Sequence, residues 1–174
     1  MLHLMGIGLT KGDLPLGTIE VCKKCELVYA DRYTTFVTED RIEQIEFLTE
    51  RKVKRLDREM LEERLSVILN SAKEKDVAVL VGGDPLIATT HKIIFIAAKK
   101  AKVPVKVHHA ASAIAAMLGE SGLDFYRFGQ TCTISRWSKH YEPVSFYEAI
   151  QKNMKNNLHS LVLLDWDISN NFNI

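Results

Sequence analysis

Five consecutive apolar residues, Val77–Val81, constrain the fold more than any other segment of the chain. A strand with one face in water alternates apolar and polar residues. An unbroken apolar run of strand length is instead typical of a parallel strand that is buried on both faces. The run stops at Gly82-Gly83-Asp84-Pro85, residue types that end a strand and begin a loop. Because such a strand needs helices on both sides of its sheet, this segment predicts an α/β fold.

Strands and helices are predicted to alternate along the rest of the chain. Predicted strands cover residues 2–7, 27–30, 104–108, 131–135 and 159–164. Predicted helices cover the segment that follows Pro15, residues 39–48, the amphipathic stripe Leu61, Leu65, Ile68, Leu69 and Ala72, a buried helix within 88–102, and residues 144–157. The alternation predicts an N-terminal α/β domain with a mostly parallel sheet over residues 1–109. Residues 110–174 are expected to begin a second α/β domain that is incomplete at this length.

Composition excludes several classes of protein. With 47% apolar and 26% charged residues, the 174-residue chain is typical of a globular protein and not of a disordered one. A net charge of +1 gives no broad electrostatic surface for nucleic acid or for an anionic membrane. The N-terminus lacks the features of a signal peptide, and no apolar run reaches the roughly 18 residues that a membrane helix needs. Three cysteines do not form a disulfide framework, so a cytoplasmic location is expected.

Two glycine-containing loops follow predicted strands, where ligands bind in open α/β sheets. The first is Gly6-Ile7-Gly8, which is either a tight turn or a binding loop, since Lys11 stands where the dinucleotide fingerprint has its third glycine. The second contains Asp84 between two glycines and a proline, and a carboxylate there is hard to explain by packing. Asp84 is therefore the main candidate binding residue from pattern alone.

Cys22 and Cys25 have the spacing of a metal or redox pair, but they lie within a helical pattern, and Cys132 is the one other thiol. Two buried apolar cysteines are the alternative that the pattern favours. We therefore predict no metal site.

Histidines occur at two predicted element ends. His108 and His109 end a strand without a metal-binding partner motif, which favours a pair in the core or at its rim. His91 follows Thr89 and Thr90 at a predicted helix start, where hydroxyls cap the helix or an anion binds, and capping is favoured.

The segment Gly82-Gly83-Asp84-Pro85-Leu86-Ile87-Ala88-Thr89-Thr90-His91 resembles the diphthine synthases, methyltransferases of the tetrapyrrole methylase class. Further segments resemble this family in the same order and spacing, so that the resemblance covers essentially the whole chain. They are residues 4–9, Tyr33-Thr34-Thr35, His109-Ala110-Ala111-Ser112-Ala113, residues 126–131 and residues 158–165. Asp31 stands where a Glu often precedes the Tyr-Thr-Ser loop of the family, and family members continue well past Asp165.

The resemblance implies a tetrapyrrole methylase-like fold of two α/β domains with the ligand cleft between them. It implies S-adenosylmethionine as the cofactor. The positions that match the cofactor contacts of the family are Leu9, Asp84, Ile87, Ser112, Ala113 and Leu163.

The resemblance also implies a substrate, which is translation elongation factor 2 with a 3-amino-3-carboxypropyl group on one histidine. Methyl groups would be added to this appendage by a homodimeric enzyme without a metal or a covalent enzyme intermediate. An amine nucleophile must first lose a proton, and the sequence indicates no base, so no catalytic residue is predicted. The alternatives are a truncated, non-catalytic relative that binds S-adenosylmethionine or a partner, and an unrelated nucleotide-binding α/β protein.

Overall fold

The structure is a computed structural model that describes residues 1–32, 35 and 37–165 of the chain. Its strands are β1 (Leu2–Gly6), β2 (Leu27–Asp31), β3 (Val53–Leu56), β4 (Val77–Val81), β5 (Val105–His108), β6 (Cys132–Ile134) and β7 (Val162–Leu164). Its helices are α1 (Leu16–Lys24), α2 (Glu39–Thr49), α3 (Arg58–Glu62), α4 (Leu65–Glu74), α5 (Lys92–Lys100), α6 (Ala113–Glu120) and α7 (Ser145–Lys155). Within these ranges no helix is both long and apolar enough to cross a membrane.

The first five strands form one parallel sheet in the order β3-β2-β4-β1-β5. All five residues of β4, the central strand, are buried. Alternate residues of this strand enter two separate cores, since Val77, Val79 and Val81 belong to one cluster and Ala78 and Leu80 to the other. Two-sided burial is the physical reason for the unbroken apolar run, and the predicted α/β class with a parallel sheet is confirmed.

Helices cover both faces of this sheet. Ile68 and Leu69 of α4 and Ile94 of α5 belong to the first cluster, whereas Cys22 of α1 and Ile42 of α2 belong to the second. A sheet covered in this way leaves the carboxyl ends of its strands as the edge at which ligands can reach several loops at once.

The chain divides into two compact units, residues 1–114 and 115–174. In the second unit, β6 and β7 pair in parallel, and α7 connects them along the chain. The buried side chain of Asn153 on α7 joins the segments around them. Its Oδ1 accepts from the Gln130 amide at 2.9 Å, and its Nδ2 donates to Gln130 O and to Ser160 Oγ, both at 2.8 Å. The predicted domain boundary after residue 109 stays a prediction.

One strand was missing from the sequence-based prediction. β3 forms the sheet edge next to β2, and its Val53 and Leu56 are buried while Lys54 and Arg55 are exposed. Two adjacent basic residues hide the period of two that normally reveals a strand. An edge position tolerates them because, among the described residues, one side of the strand has no partner strand.

The predicted stripe from Leu61 to Ala72 is not one helix. Asp57 caps α3 by accepting from the Met60 amide at 2.9 Å, and α3 ends before α4 begins at Leu65. Leu61 therefore lies on a different helix from the rest of the stripe. The apolar spacing from Leu61 to Ala72 predicted one continuous helix, but the Asp57 side chain caps a separate short helix that contains Leu61.

The helix predicted within residues 88–102 is shorter and less buried than expected. It begins at Lys92, and Ala88 has a φ of 52°, which does not belong to a right-handed helix. Ile94 and Ala98 are buried, but Ile93 is 62% exposed. The helix therefore buries one face and presents apolar residues on the other.

Candidate functional site

The loops that follow β1, β4 and β5 lie next to each other because these strands are neighbours in the sheet. Gly8 and Gly83 join the first two loops, since the Gly83 amide donates to Gly8 O at 2.9 Å and the Gly8 amide donates to Gly83 O at 3.4 Å. Segments that are far apart in the sequence thus form one surface at the carboxyl ends of the strands.

Glycine is required at Gly8 by the backbone conformation and by packing. Its φ is +74°, and a Cβ there would lie 2.7 Å from Asp13 O. At Gly6, a Cβ would lie 2.7 Å from the Cβ of Ala110, so the β5 loop packs directly on the end of β1. The Gly-x-Gly segment is therefore a tight turn at the centre of the loop cluster.

Asp13 holds the β1 loop in this conformation. Its carboxylate accepts from the Leu9 amide at 2.8 Å and from the Thr10 amide at 2.6 Å. Burial acts to raise the pKa of Asp13, but these hydrogen bonds outweigh it, and its pKa lies below the ordinary value. The buried Arg41 guanidinium of α2 lies 3.8 Å from this carboxylate and donates to Ile7 O, which ties the loop to the helix.

Asp84 joins the loops after β4 and β5. The residue is 4% exposed, and its Oδ1 accepts from the Leu86 amide at 2.9 Å. Its Oδ2 lies 2.8 Å from His109 Nδ1 and accepts from the Ala110 amide at 3.3 Å. The carboxylate that the sequence indicated thus joins the loop after β4 to the loop after β5.

The other predicted cofactor residues occupy three kinds of place. Leu9 and Ile87 are apolar yet 42% and 46% exposed at the strand ends. Ser112 is buried and accepts from the Ile114 amide at 3.3 Å, and Ala113 is the exposed first residue of α6. Leu163 lies on β7, in the second unit.

Gly83 has neighbouring atoms at ordinary contact distances. A Cβ built there would lie 3.8 Å from both Ala111 O and Leu9 Cδ2, and its φ of +71° is a backbone conformation that favours glycine. The exposed side chains of Leu9 and Ile87 present apolar surface on the loops after β1 and β4.

The histidines behave differently from one another. His108 Nε2 lies 3.1 Å from His3 Nδ1 at the rim of the sheet, whereas the 67% exposed His109 side chain bonds to Asp84. His91 is the residue that precedes α5, and its amide donates to Thr89 Oγ1 at 3.0 Å, but no side chain caps the helix itself. The predicted hydroxyl cap is therefore wrong, because Thr89 bonds one residue too early along the chain to bond the first free amides of the helix.

The cysteine pair has the properties of core residues. Cys22 and Cys25 are both fully buried in the cluster on the α1 side of the sheet. Burial raises the pKa of Cys22 to about 12 and that of Cys25 to about 11, which disfavours the thiolate that a metal or a redox partner requires. Among the described residues, no group of three or more His, Cys, Asp or Glu side chains is arranged to hold a metal ion.

Residues 1–170 match the profile of the tetrapyrrole (corrin/porphyrin) methylases. The chain belongs to this family. This excludes the hypothesis of an unrelated nucleotide-binding protein. The predicted resemblance to this class of methylases is confirmed.

Two curated proteins show which members of the tetrapyrrole methylase family the chain is similar to. It is 42% identical to a diphthine methyl ester synthase of Schizosaccharomyces pombe over 166 aligned residues. The aligned region covers 95% of this chain and 58% of that protein. It is 40% identical over 166 residues to the Homo sapiens protein of the same name, with the same two shares.

Solved structures agree with these relatives. A conserved hypothetical protein of Aeropyrum pernix superposes with a TM-score of 0.87 at 32% identity, over 97% of this chain and 59% of that one. A crystal structure of diphthine synthase superposes with a TM-score of 0.82 at 31% identity, over 95% and 64%. The chain thus spans between 58% and 64% of the length of these four proteins.

Sequence reasoning missed two residues that shape this loop cluster. Asp13 lies on a polar loop and has no neighbouring motif, although the sequence Thr10-Lys11-Gly12-Asp13 has the spacing of a capping box. Arg41 is one of many charged residues on α2, and only its burial distinguishes it. Of the Thr-rich segment 33–35, Tyr33 and Thr34 lie outside the described residues.

Proposed function

We propose that the chain is an S-adenosylmethionine-dependent methyltransferase of the diphthine synthase type. Its substrate is a histidine of translation elongation factor 2 that bears a 3-amino-3-carboxypropyl group, and its location is the cytoplasm. The observation on which this rests is the identity of about 40% to proteins named diphthine methyl ester synthase, over 95% of the chain. Because those proteins are longer, the activity, the substrate and a homodimeric assembly are proposals for this chain.

The strand-end loops of the first unit would hold the cofactor. Leu9 and Ile87 offer apolar surface, and Ser112 follows the loop residues that Asp84 contacts. Asp84 keeps two of these loops together. It therefore contributes to binding mainly by positioning backbone groups, and less by contacting the cofactor directly. Ala113 and Leu163 complete the proposed set of cofactor residues.

The chemistry of the proposed reaction makes modest demands on the protein. When bound, the cofactor supplies a methyl group on a sulfonium, which needs no further activation. The chain contributes orientation, which can lower a barrier by roughly 7 to 11 kcal/mol when the reacting atoms are held in line and in contact. The β1 loop, whose backbone amides are hydrogen-bonded to Asp13, is suited to this task.

Thermal denaturation with and without ligand tests the cofactor assignment. S-adenosylhomocysteine should raise the melting temperature of the chain through linkage, and NAD and ATP should leave it unchanged. A shift with NAD and none with S-adenosylhomocysteine would contradict the proposal.

Transfer of a labelled methyl group tests the activity. The acceptor is elongation factor 2 purified from a strain that lacks this enzyme, and incorporation should require both the chain and the factor. One alternative is a non-catalytic relative that binds the cofactor. That alternative predicts the thermal shift without any incorporation of label.

A further inference from the structure

Two titratable side chains are fully buried at the carboxyl ends of the strands and are not used by the proposed reaction. Asp31, the last residue of β2, is 0% exposed, and His91, which precedes α5, is 1% exposed. His91 Nε2 lies 3.2 Å from Asp31 Oδ2. Within the described part of the chain, Nε2 makes no hydrogen bond of good geometry, and the Asp31 carboxylate is the polar group that faces it.

Asp31 also reaches the end of the central strand. The Thr35 hydroxyl lies 3.3 Å from Asp31 Oδ2 and accepts from the Gly82 amide at 3.2 Å. Gly82 is packed against Thr35, since a Cβ at Gly82 would lie 3.3 Å from the Thr35 Cβ. The end of β2 and the first loop residue after β4 are thus joined by one polar chain.

His91 fixes the other end of the same loop. Its Nδ1 is hydrogen-bonded to Thr89 Oγ1, which also accepts from the His91 amide. Residues 82–91 are therefore attached to the Asp31 carboxylate at both ends, through Thr35 at the start and through His91 at the end. Asp84, Ile87 and Gly83 lie between these two attachments.

We propose that Asp31 and His91 are a positioning pair, which holds residues 82–91 in the arrangement that binds the cofactor. Neither side chain is accessible, so both act through the backbone of this loop. The inference rests on the proposed function for the identity of the ligand. The attachment of the loop itself does not depend on it.

The test uses Asp31→Asn, His91→Gln and the double variant. Asparagine keeps the shape of the aspartate without its charge, and glutamine keeps a nitrogen donor near the position of Nε2. The control is Ile68→Val, a buried change on α4 that lowers stability without touching the strand ends. All four variants and the unchanged chain are measured well below their melting temperatures.

Affinity for S-adenosylhomocysteine is measured by calorimetry. Each single variant should raise the dissociation constant by about tenfold. The double variant should bind S-adenosylhomocysteine no more weakly than the weaker-binding single variant, because the effects of substitutions at two residues that act as a pair are not additive. Ile68→Val should keep the affinity of the unchanged chain. A pair that only stabilises the fold would lower the melting temperatures of the variants with the dissociation constant unchanged, and this result would overturn the proposal.

Hydrogen exchange without ligand separates this inference from the proposed function. Asp31→Asn should accelerate exchange at Gly82 and Leu86 while the amides of β4 stay protected. Faster exchange in a chain that does not bind S-adenosylhomocysteine would uphold the attachment of the loop and reject the cofactor. Unchanged exchange at Gly82 and Leu86 would reject the positioning pair whatever the ligand.

Discussion

Asp84 and His109 follow different strands, and a carboxylate oxygen of Asp84 lies 2.8 Å from Nδ1 of His109. The contact joins the β4 loop to the β5 loop, with Asp84 buried and the His109 side chain 67% exposed. An aspartate that a motif marks as a ligand contact is thus also a structural residue. Its substitution should affect both stability and binding.

Asp84→Ala should lower the free energy of unfolding by about 2 kcal/mol, since the variant loses a charged acceptor and leaves the Leu86 and Ala110 amides without it. Because the loop is no longer held in position, the affinity for S-adenosylhomocysteine should also fall by about tenfold. Urea denaturation and calorimetry measure the two effects. His109→Gln, at the exposed end of the contact, is the control and should change both quantities less. Unaltered affinity in folded Asp84→Ala would restrict Asp84 to a structural role.

Gly8→Ala should destabilise the chain by roughly 1 to 3 kcal/mol, because the variant places a Cβ against Asp13 at a positive φ. Gly17→Ala is the matched control. Gly17 lies in α1 with no atom within 4 Å of the added Cβ, and alanine should stabilise the helix by about 0.5 to 1 kcal/mol. Chemical denaturation of both variants gives the comparison, and equal effects of the two substitutions would contradict the packing described at Gly8.

His3 and His108 should make stability depend on pH. Burial lowers the pKa of both residues, and the Asp76 carboxylate opposes this at His3 while the neighbouring His3 reinforces it at His108. Below the ordinary histidine pKa of 6.5, the unfolded chain therefore binds more protons than the folded chain, so stability is lost as the pH falls through this value. Replacing both residues by glutamine should reduce the slope of the unfolding free energy against pH. A slope that is identical in the double variant would show that the pair does not titrate on unfolding.

Cys132 should be the reactive thiol of the native chain. It is half-buried, whereas burial holds the pKa of Cys22 and Cys25 near 12 and 11, so these two carry almost no thiolate at pH 8. A disulfide reagent at that pH should label one thiol quickly in the folded chain and three in urea. In Cys132→Ser, fast labelling should disappear. Rapid reaction of Cys22 or Cys25 in the folded state would reopen the metal and redox interpretations.

The sequence determined the class of the fold because burial leaves a local pattern. The apolar run of β4 predicts a strand covered on both faces, and its end at Gly82 predicts the position of a ligand loop. Asp84 was found in the same way, from a carboxylate among residues that favour a turn. Where the pattern was interrupted the prediction missed an element, as at β3, the edge strand of the described sheet, whose exposed Lys54 and Arg55 hide its period of two.

Tertiary structure decided which residues meet. The strand order β3-β2-β4-β1-β5 depends on pairings between segments far apart along the chain, and no local period encodes it. That order brings Asp31 to His91 and Asp13 to Arg41, four charged or titratable residues that look like ordinary surface or capping residues in the sequence. A side chain's role here follows from burial and from its partner, and both exist only once the sheet has formed.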